Sequence, residues 1–357
     1  MNLEGKRVIV VAGSGGVGKT TTSAALALGL AARGRRVAVV TIDPARRLAT
    51  ALGLEELGNE PRRVQGADVA GELYAMQLDA KRTFDELIER LAPDERAAED
   101  VLGNRIYREL SGAMTGSQEF TAVAKLYELH RDERFDVLVL DTPPSRNALD
   151  FLEAPDRLTG FLDGRALSAL LAPTGLAARI VGRGTGVAFS LLGRITGIDL
   201  LDDLSVFFRS LSGLIDGFRR RAAGVKALLG DRATTFVLVT SPEREPVEEA
   251  IFFHGRLRDA GMPFGGLVVN RVHAPPEAEP DGIRAELAPS LGERLAGKVA
   301  ETTADVAVLA RRDAEAIERL RRELGVERPV VVPLLDEDVC DLEGLALLRR
   351  HLMGAGA

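Results

Sequence analysis

The chain has 357 residues, 46% of them hydrophobic, which is enough for one large domain or two ordinary ones with a substantial core. Its net charge of −7 argues against a protein that binds nucleic acid or an anionic membrane through bulk charge. The single cysteine, Cys340, excludes a disulfide framework, an iron–sulfur cluster and a zinc site built from the cysteines of one chain.

Short continuous runs of aliphatic, mostly β-branched residues recur along the chain and alternate with helical periodicity. Such runs are typical of strands that are buried on both faces of a parallel sheet. Seven strands are predicted, at Arg7–Ala12, Arg36–Ile42, Leu73–Leu78, Phe135–Asp141, Thr235–Thr240, Gly266–Asn270 and Pro329–Val332. The intervening helices include Thr20–Arg33, Pro246–Ala260 and Ala310–Leu324. The predicted fold class is therefore α/β, a doubly wound and mostly parallel sheet with right-handed crossovers.

Two intervals, at about 81–130 and 151–230, show helical periodicity but no convincing strand. We interpret both as helical insertions into one α/β core. The stretch 159–198, within the second interval, contains only five charged residues. It is predicted to form an ordinary helical core, a dimer face or an apolar surface for a protein partner.

The segment between the first predicted strand and helix has the phosphate-binding pattern G-x-x-x-x-G-K-[ST]. The loop consists of Gly13, Ser14, Gly15, Gly16, Val17, Gly18, Lys19, Thr20 and Thr21. Its glycines let backbone N–H groups turn inward around a phosphate, and the following helix N-terminus adds partial positive charge. Lys19 is predicted to reach the β- and γ-phosphates, and the hydroxyl of Thr20 to bind Mg²⁺. We call residues 13–21 the phosphate loop.

Two aspartates, Asp43 and Asp141, each follow a buried run of the predicted sheet. Because the carboxyl ends of parallel strands meet at one edge, both should face the phosphate loop. Asp141 is predicted to hold Mg²⁺, partly through water, and Asp43 to orient Mg²⁺ or the attacking water. The alternatives are structural: Asp141 would start a turn before Pro143 and Pro144, and Asp43 would cap a helix that begins near Ala45.

The order of three motifs resembles the ArsA/GET-type ATPases, a family that includes arsenite-pump ATPases and ATPases that deliver tail-anchored membrane proteins. The motifs are the phosphate loop, Thr41-Ile-Asp-Pro-Ala45 and Asp141-Thr-Pro-Pro-Ser145, and the similarity runs from Val8 to about Leu352. The resemblance implies one P-loop ATPase domain over residues 1–357, with ATP and Mg²⁺ as cofactors. It also implies a dimer that couples ATP hydrolysis to conformational work on a protein partner or client.

The resemblance assigns hydrolysis to two parts of the sequence. Asp43 matches the switch-I aspartate, which polarises the hydrolytic water, so Asp43 and Lys19 are the expected catalytic residues. Switch II, which senses the γ-phosphate, is expected at Asp141, Thr142, Pro143 and Pro144, within a segment that runs to Asn147.

The resemblance also implies where the adenine lies. Asn270 matches the asparagine that reads adenine, and Pro333 with Leu334 matches the adenine-side loop. Without the resemblance, Asn270 would be a strand-end turn residue, and Pro333 would only terminate a strand. His273 follows closely after Asn270, and whether it borders the nucleotide stays open.

The chain departs from the family pattern at the second residue of the phosphate loop. The family usually has Gly-Lys-Gly-Gly, whose lysine crosses to the nucleotide of the facing subunit, whereas this chain has Ser14. A serine cannot supply a transition-state cation, and such cations are worth ~10³–10⁵ in rate. Three explanations are open. Another subunit donates the lysine, an arginine such as Arg46 or Arg146 replaces it, or hydrolysis is slow. We expect a homodimer or a heterodimer with a lysine-bearing paralogue, without a zinc clasp or arsenite activation because the cysteines are missing.

Two other functions remain open: a ParA/MinD-like positioning ATPase and a P-loop small-molecule kinase or ligase. The acidic balance predicts no nucleic-acid partner. No stretch reaches the ~18 apolar residues of a spanning helix, and residues 1–10 lack a secretion signal, so we expect a cytoplasmic protein without stable membrane insertion. The leucines of a C-terminal helix are predicted to pack on the sheet, the alternative being a membrane-surface anchor. They are Leu342, Leu345, Leu348 and Leu352.

Overall fold

The computed structural model describes residues 1, 3–43, 45–105, 107, 117–142 and 214–354. Contacts divide the chain into two compact units. The first comprises Met1–Gln77, Asp132–Ala148 and Leu229–Ala357, and the second Leu78–Arg131 and Leu149–Leu228. Most of the second predicted insertion, including the apolar stretch 159–198, lies outside the described residues. The arrangement as one domain with two insertions stays a prediction.

The first unit is built on an eight-stranded sheet. Its strands are β1 Val8–Ala12, β2 Arg36–Thr41, β3 Arg62–Arg63, β4 Glu72–Gln77, β5 Val137–Asp141, β6 Thr234–Thr240, β7 Phe264–Val272 and β8 Val330–Pro333. Their order is β3-β4-β2-β5-β1-β6-β7-β8, and only β3 pairs antiparallel within the described sheet. The predicted α/β class and mostly parallel sheet are confirmed, with β1 at the centre between β5 and β6.

The described residues form ten helices, which belong to the first or the second unit. They are α1 Lys19–Ala32, α2 Arg47–Ala51, α3 Ala80–Leu91, α4 Glu95–Leu102, α5 Ser117–Asp132, α6 Ile215–Gly230, α7 Arg244–Asp259, α8 Pro280–Leu291, α9 Glu293–Leu324 and α10 Leu342–Met353. In the part of the chain that the structure describes, none of them is long and apolar enough to cross a membrane. Helix α9 has 32 residues and extends well beyond the predicted Ala310–Leu324.

The second unit contains α3, α4 and nearly all of α5 and α6. Its core includes Ile88, Val101 and Phe218, each at most 1% exposed. A buried ion-pair cluster joins α3 and α5: the amine of Lys125, 2% exposed, lies 3.5 Å from a carboxylate oxygen of Glu86 and 3.4 Å from one of Glu128. A buried lysine requires such partners, because an isolated charge is costly to remove from water.

The sheet of the first unit is buried because its strands are almost entirely aliphatic. All five residues of β1 and of β5 are buried, as expected for central strands with helices on both faces. Helix α1 packs on the sheet through alanine and leucine, and α10 packs beside it. A Cβ atom on Gly29 of α1 would lie 2.1 Å from the sulfur of Met353 in α10, so a larger residue there would displace the flexible Met353 side chain.

The C-terminal helix α10 places its leucines as the sequence predicted. Leu345, Leu348 and Leu352 are buried in the core cluster of the sheet, whereas Leu347 is 43% exposed. These buried leucines are committed to the core, which argues against their use as a membrane-surface anchor.

We expect Leu348→Ala to lower the free energy of unfolding by about 3 kcal/mol, because it removes buried methyl groups and leaves a cavity. The neighbouring Leu347→Ala should change it by less than about 0.5 kcal/mol. Equilibrium unfolding in urea measures both values. Equal losses in the two variants would contradict the packing of α10.

Candidate functional site

The phosphate loop turns from β1 into α1 through glycines that no other residue could replace without strain. Gly13 has φ 154°, and a Cβ atom there would lie 2.0 Å from the carbonyl oxygen of Val239. Gly18 has φ 92°, and a Cβ atom there would lie 2.4 Å from the side-chain nitrogen of Asn270. Strands β6 and β7 therefore press against the loop, and the glycines permit that approach.

Lys19 is a buried residue of the phosphate loop. Its Nζ donates a 2.7 Å hydrogen bond to the carbonyl oxygen of Ser14. Burial lowers the pKa of Lys19 from its usual value, and the nearby carboxylates of Asp141 and Asp43 partly oppose that shift. The loop thus holds an amine at the N-terminus of α1, where backbone N–H groups also favour an anion.

Asp141 ends β5 beside this loop and is completely buried. Its Oδ2 accepts hydrogen bonds of 2.8 Å from the hydroxyls of Thr20 and Thr41. Its Oδ1 is buried without a hydrogen-bond partner among the described residues. Burial raises the pKa of Asp141 to about 6, although the two hydroxyls and Lys19 act in the other direction. An unsatisfied buried carboxylate oxygen is costly unless it binds a ligand.

Asp43 follows β2 and is 9% exposed. Its Oδ1 accepts a 2.9 Å hydrogen bond from the backbone N–H of Ala45. This contact does not cap a helix, because α2 begins at Arg47 with Arg46 as its N-cap. Its Oδ2 lies 4.0 Å from a guanidinium nitrogen of Arg47. Its backbone N–H donates to Thr41 Oγ1 at 3.2 Å, and Gln77 Nε2 donates to its carbonyl oxygen at 3.2 Å.

Thr41 is a site residue for which sequence reasoning assigned no role. Its hydroxyl donates to Asp141 and accepts from the backbone of Asp43, so one side chain connects the two carboxylate-bearing segments. The available signal was its position: Thr41 is the polar residue that follows the apolar run Val37–Val40, directly before Ile42 and Asp43.

The predicted adenine-side residues lie at the same edge of the sheet. Asn270 Nδ2 donates a 2.9 Å hydrogen bond to the carbonyl oxygen of Val17 and so ties β7 to the phosphate loop. Pro333 pairs with Val272, and the backbone N–H of Leu334 donates to the carbonyl of Val272 at 2.9 Å. The side chain of Leu334 is exposed, whereas that of Asn270 is half-buried.

The predicted switch II is described only at its first two residues. Thr142 is buried, and its hydroxyl donates to the carbonyl of Val11 at 2.9 Å, which ties the end of β5 to β1. The predicted residues Pro143 and Pro144, with Arg146 and Asn147, lie outside the described residues.

The oxygen atoms of the site fit Mg²⁺. Thr20 and Asp141 provide a hydroxyl and a carboxylate, which are the hard ligands that this ion prefers. Among the residues that the structure describes, no three His, Cys, Asp or Glu side chains form a metal-binding group. In proteins Mg²⁺ is usually held by one or two carboxylates together with substrate phosphates and water.

The raised pKa of Asp141 makes stability depend on pH. The folded protein binds this proton more tightly than the unfolded chain, so the stability it contributes is complete below about pH 4 and is lost as the pH rises to about 6. Without nucleotide or Mg²⁺, Asp141→Asn should match the wild type below pH 4 and exceed its free energy of unfolding above pH 6. The gain should reach at most about 3 kcal/mol.

Urea unfolding between pH 4 and 7.5 tests this expectation, with Asp136→Asn as the control. Asp136 lies directly before the first residue of β5, whereas Asp141 is the last residue of that strand. The hydrogen bonds of Asp136 with Arg36 lower the pKa of Asp136. Its stabilisation is lost as the pH falls, so Asp136→Asn should be less stable than the wild type at pH 7. Loss of stability in Asp141→Asn at pH 7 would refute the assignment of a desolvated carboxylate.

Comparison with known proteins places the chain in a family. The family model described as anion-transporting ATPase matches residues 6–185. ATPase GET3 of Podospora anserina is 30% identical over 240 residues, which cover 66% of this chain and 64% of that protein. ATPase ARSA2 of Chlamydomonas reinhardtii is 31% identical over 270 residues, covering 75% and 68%. The ATPase ASNA1 homolog of Cryptosporidium parvum is 28% identical over 268 residues, covering 75% and 65%.

The match thus spans just under two thirds of the Podospora and Cryptosporidium proteins. The family model, which matches residues 6–185, includes all three motifs on which the resemblance was based, from the phosphate loop to Ser145. The chain belongs to the anion-transporting ATPase family, the ArsA-type ATPases.

Proposed function

We propose that the chain binds Mg²⁺–ATP at the phosphate loop and hydrolyses it to ADP and phosphate. The observation that carries this proposal is the pair of hydroxyls on Asp141: Thr20 and Thr41 both bind Oδ2, while Oδ1 is buried without a partner among the described residues. A carboxylate held in one orientation, with an unsatisfied oxygen beside a phosphate-binding loop, is suited to a metal-bound water.

The other residues divide the work of binding and hydrolysis. Lys19 would exchange the carbonyl of Ser14 for phosphate oxygens, and the backbone N–H groups of the loop would bind the same phosphates. Thr20 and Asp141 would hold Mg²⁺, which when bound supplies neutralising charge to the β- and γ-phosphates. Asp43 would orient the attacking water through its carboxylate.

We propose further that hydrolysis drives a conformational switch. The end of β5 carries both Asp141 and Thr142, and the latter is tied to β1 through Val11. Loss of the γ-phosphate would first change the contacts at the end of β5. Switch II would transmit this change to the rest of the protein. The resemblance to the ArsA/GET-type ATPases motivates a homodimer or a heterodimer that acts on a hydrophobic protein client. The setting that we propose is the cytoplasm, without nucleic acid or stable membrane insertion.

The first test separates binding from hydrolysis. Lys19→Ala removes the cation of the loop and should reduce ATP affinity below calorimetric detection, whereas Asp43→Asn should retain binding. Hydrolysis by Asp43→Asn should fall roughly 100-fold or more, because the water loses its orienting base. Phosphate release is measured without an added acceptor, which also distinguishes an ATPase from a small-molecule kinase.

Lys6→Ala is the control for charge. The Lys6 amine donates to the carbonyls of Arg232 and Thr234 at the opposite edge of the sheet, so ATP affinity should stay unchanged. Unchanged ATP affinity in Lys19→Ala would refute the site assignment.

The second test addresses the missing signature lysine. The contact between Lys19 and residue 14 uses the backbone carbonyl, so a new side chain at position 14 leaves it intact. If the chain alone lacks a transition-state cation, Ser14→Lys should accelerate single-turnover hydrolysis by at least about tenfold, and Ser14→Ala should not. Light scattering in the presence of nucleotide shows whether the wild type forms a homodimer. A wild-type homodimer that releases phosphate rapidly would contradict the proposed need for a lysine-bearing partner.

A further inference from the structure

Three neighbouring strands of the sheet end in a row of polar side chains. Thr41 of β2 is paired in register with Gln77 of β4 on one side and with Asp141 of β5 on the other. Because side chains alternate between the two faces along each strand, residues that are paired in register share a face. Gln77, Thr41 and Asp141 therefore form one row at the carboxyl edge of the sheet, and Asp43 follows two residues after the middle member.

This row holds Asp43 through its backbone, on both sides of the Cα atom. The N–H of Asp43 donates to Thr41 Oγ1 at 3.2 Å, and its carbonyl oxygen accepts from Gln77 Nε2 at 3.2 Å. The N–H belongs to the planar peptide group before the Cα atom, and the carbonyl belongs to the peptide group after it. Two such bonds restrict both φ and ψ of Asp43 and so fix the direction of its side chain.

The side-chain contacts of Asp43 do not fix the carboxylate to the sheet. Its Oδ1 accepts from the backbone N–H of Ala45, which ties it to the loop that follows. Its Oδ2 lies 4.0 Å from a guanidinium nitrogen of Arg47, whose side chain is 65% exposed, and an ion pair so open to water contributes little. The backbone contacts with Thr41 and Gln77 are therefore what relates this carboxylate to the rigid strands.

Gln77 is a suitable anchor because its own backbone is held. Its N–H donates to the carbonyl of Gly58 at 3.0 Å, and its side chain is half-buried. Thr41 also donates to Asp141, so loss of the threonine hydroxyl would disturb both carboxylates. The amide of Gln77 donates to the backbone of Asp43, so its loss leaves the hydroxyls on Asp141 in place.

We propose that Gln77 is a positioning residue for ATP hydrolysis and that it acts through Asp43. Together with the hydroxyl of Thr41, its amide holds Asp43 in the orientation in which the carboxylate reaches the attacking water. The phosphate loop and Asp141 do not depend on this bond. The inference rests on the proposed function and extends it to β4: loss of the bond should slow hydrolysis and leave nucleotide binding intact, because alignment of the water matters only for the chemical step.

Gln77→Met tests the proposal, because methionine has a similar length and no donor. The affinity for Mg²⁺–ATP, measured by calorimetry, should stay within about twofold of the wild type. Single-turnover phosphate release should slow by about fivefold or more, which is the effect of one hydrogen bond of ordinary strength. Gln65→Met is the matched control, because Gln65 follows β3 and is exposed, so both quantities should stay unchanged.

A double-mutant cycle shows whether Gln77 acts through Asp43. In the Asp43→Asn background the positioned carboxylate is gone, so adding Gln77→Met should slow hydrolysis by less than about twofold. A side chain that only supported the fold would slow both backgrounds by the same factor. Equal factors in the two backgrounds, or a single Gln77→Met variant as fast as the wild type, would overturn the inference.

The outcomes distinguish this inference from the proposed function. A wild type that does not bind or hydrolyse ATP defeats the proposed function and the inference together. A wild type that hydrolyses ATP, with a Gln77→Met variant that is equally fast, overturns the positioning role alone and leaves the phosphate site and Asp43 as proposed.

NMR of the wild type with labelled glutamine side chains gives a reading that does not depend on the folding of a variant. A proton on Nε2 of Gln77 should exchange with water more slowly than those of the exposed Gln65, because it is hydrogen-bonded to the carbonyl of Asp43. Equal exchange rates at the two glutamines would refute the bond on which the proposal depends.

Discussion

The hydrogen bonds to Asp141 Oδ2 are the interaction on which the site depends. Two hydroxyls from different elements, Thr20 of α1 and Thr41 of β2, meet on one carboxylate at the end of β5. They fix its orientation, yet burial still raises its pKa, so the folded chain bears a desolvation cost at this point. A desolvated carboxylate beside a phosphate-binding loop is suited to bind a positive charge that the protein itself does not supply.

The sheet explains why these groups meet. In a parallel sheet every strand ends at the same edge, so Asp141, Asp43 and Asn270 converge although more than 200 residues separate the second and third. This convergence was predictable because the central strands are continuous aliphatic runs. The antiparallel strand β3 was not, because Arg62 and Arg63 are exposed and carry no apolar pattern. The first half of α9 was also missed, because few of its residues are buried and its periodicity is weak.

Local sequence predicted the types of site residues better than their connections. The spacing of the phosphate loop, and the aspartates at strand ends, have chemical meaning by themselves. The link from Thr41 to both aspartate segments, and the pair of His273 with Asp313, depend on tertiary contacts across up to 100 residues. No periodicity encodes such pairs. The left-handed backbone of Arg271 is likewise invisible in sequence, since arginine does not favour it.

Ser14 shows how the loop separates binding from catalysis. The amine of Lys19 contacts the backbone of residue 14, so the loop keeps its shape and its own cation whatever side chain stands there. Under the proposed function, the residues that bind phosphate would therefore not need a lysine at position 14, whereas a charge needed only in the transition state would have to come from elsewhere. Under the proposed function, such a chain would keep a nucleotide-dependent switch, and its hydrolysis rate would depend on a partner, because Lys19 and the loop belong to this chain and the transition-state cation does not.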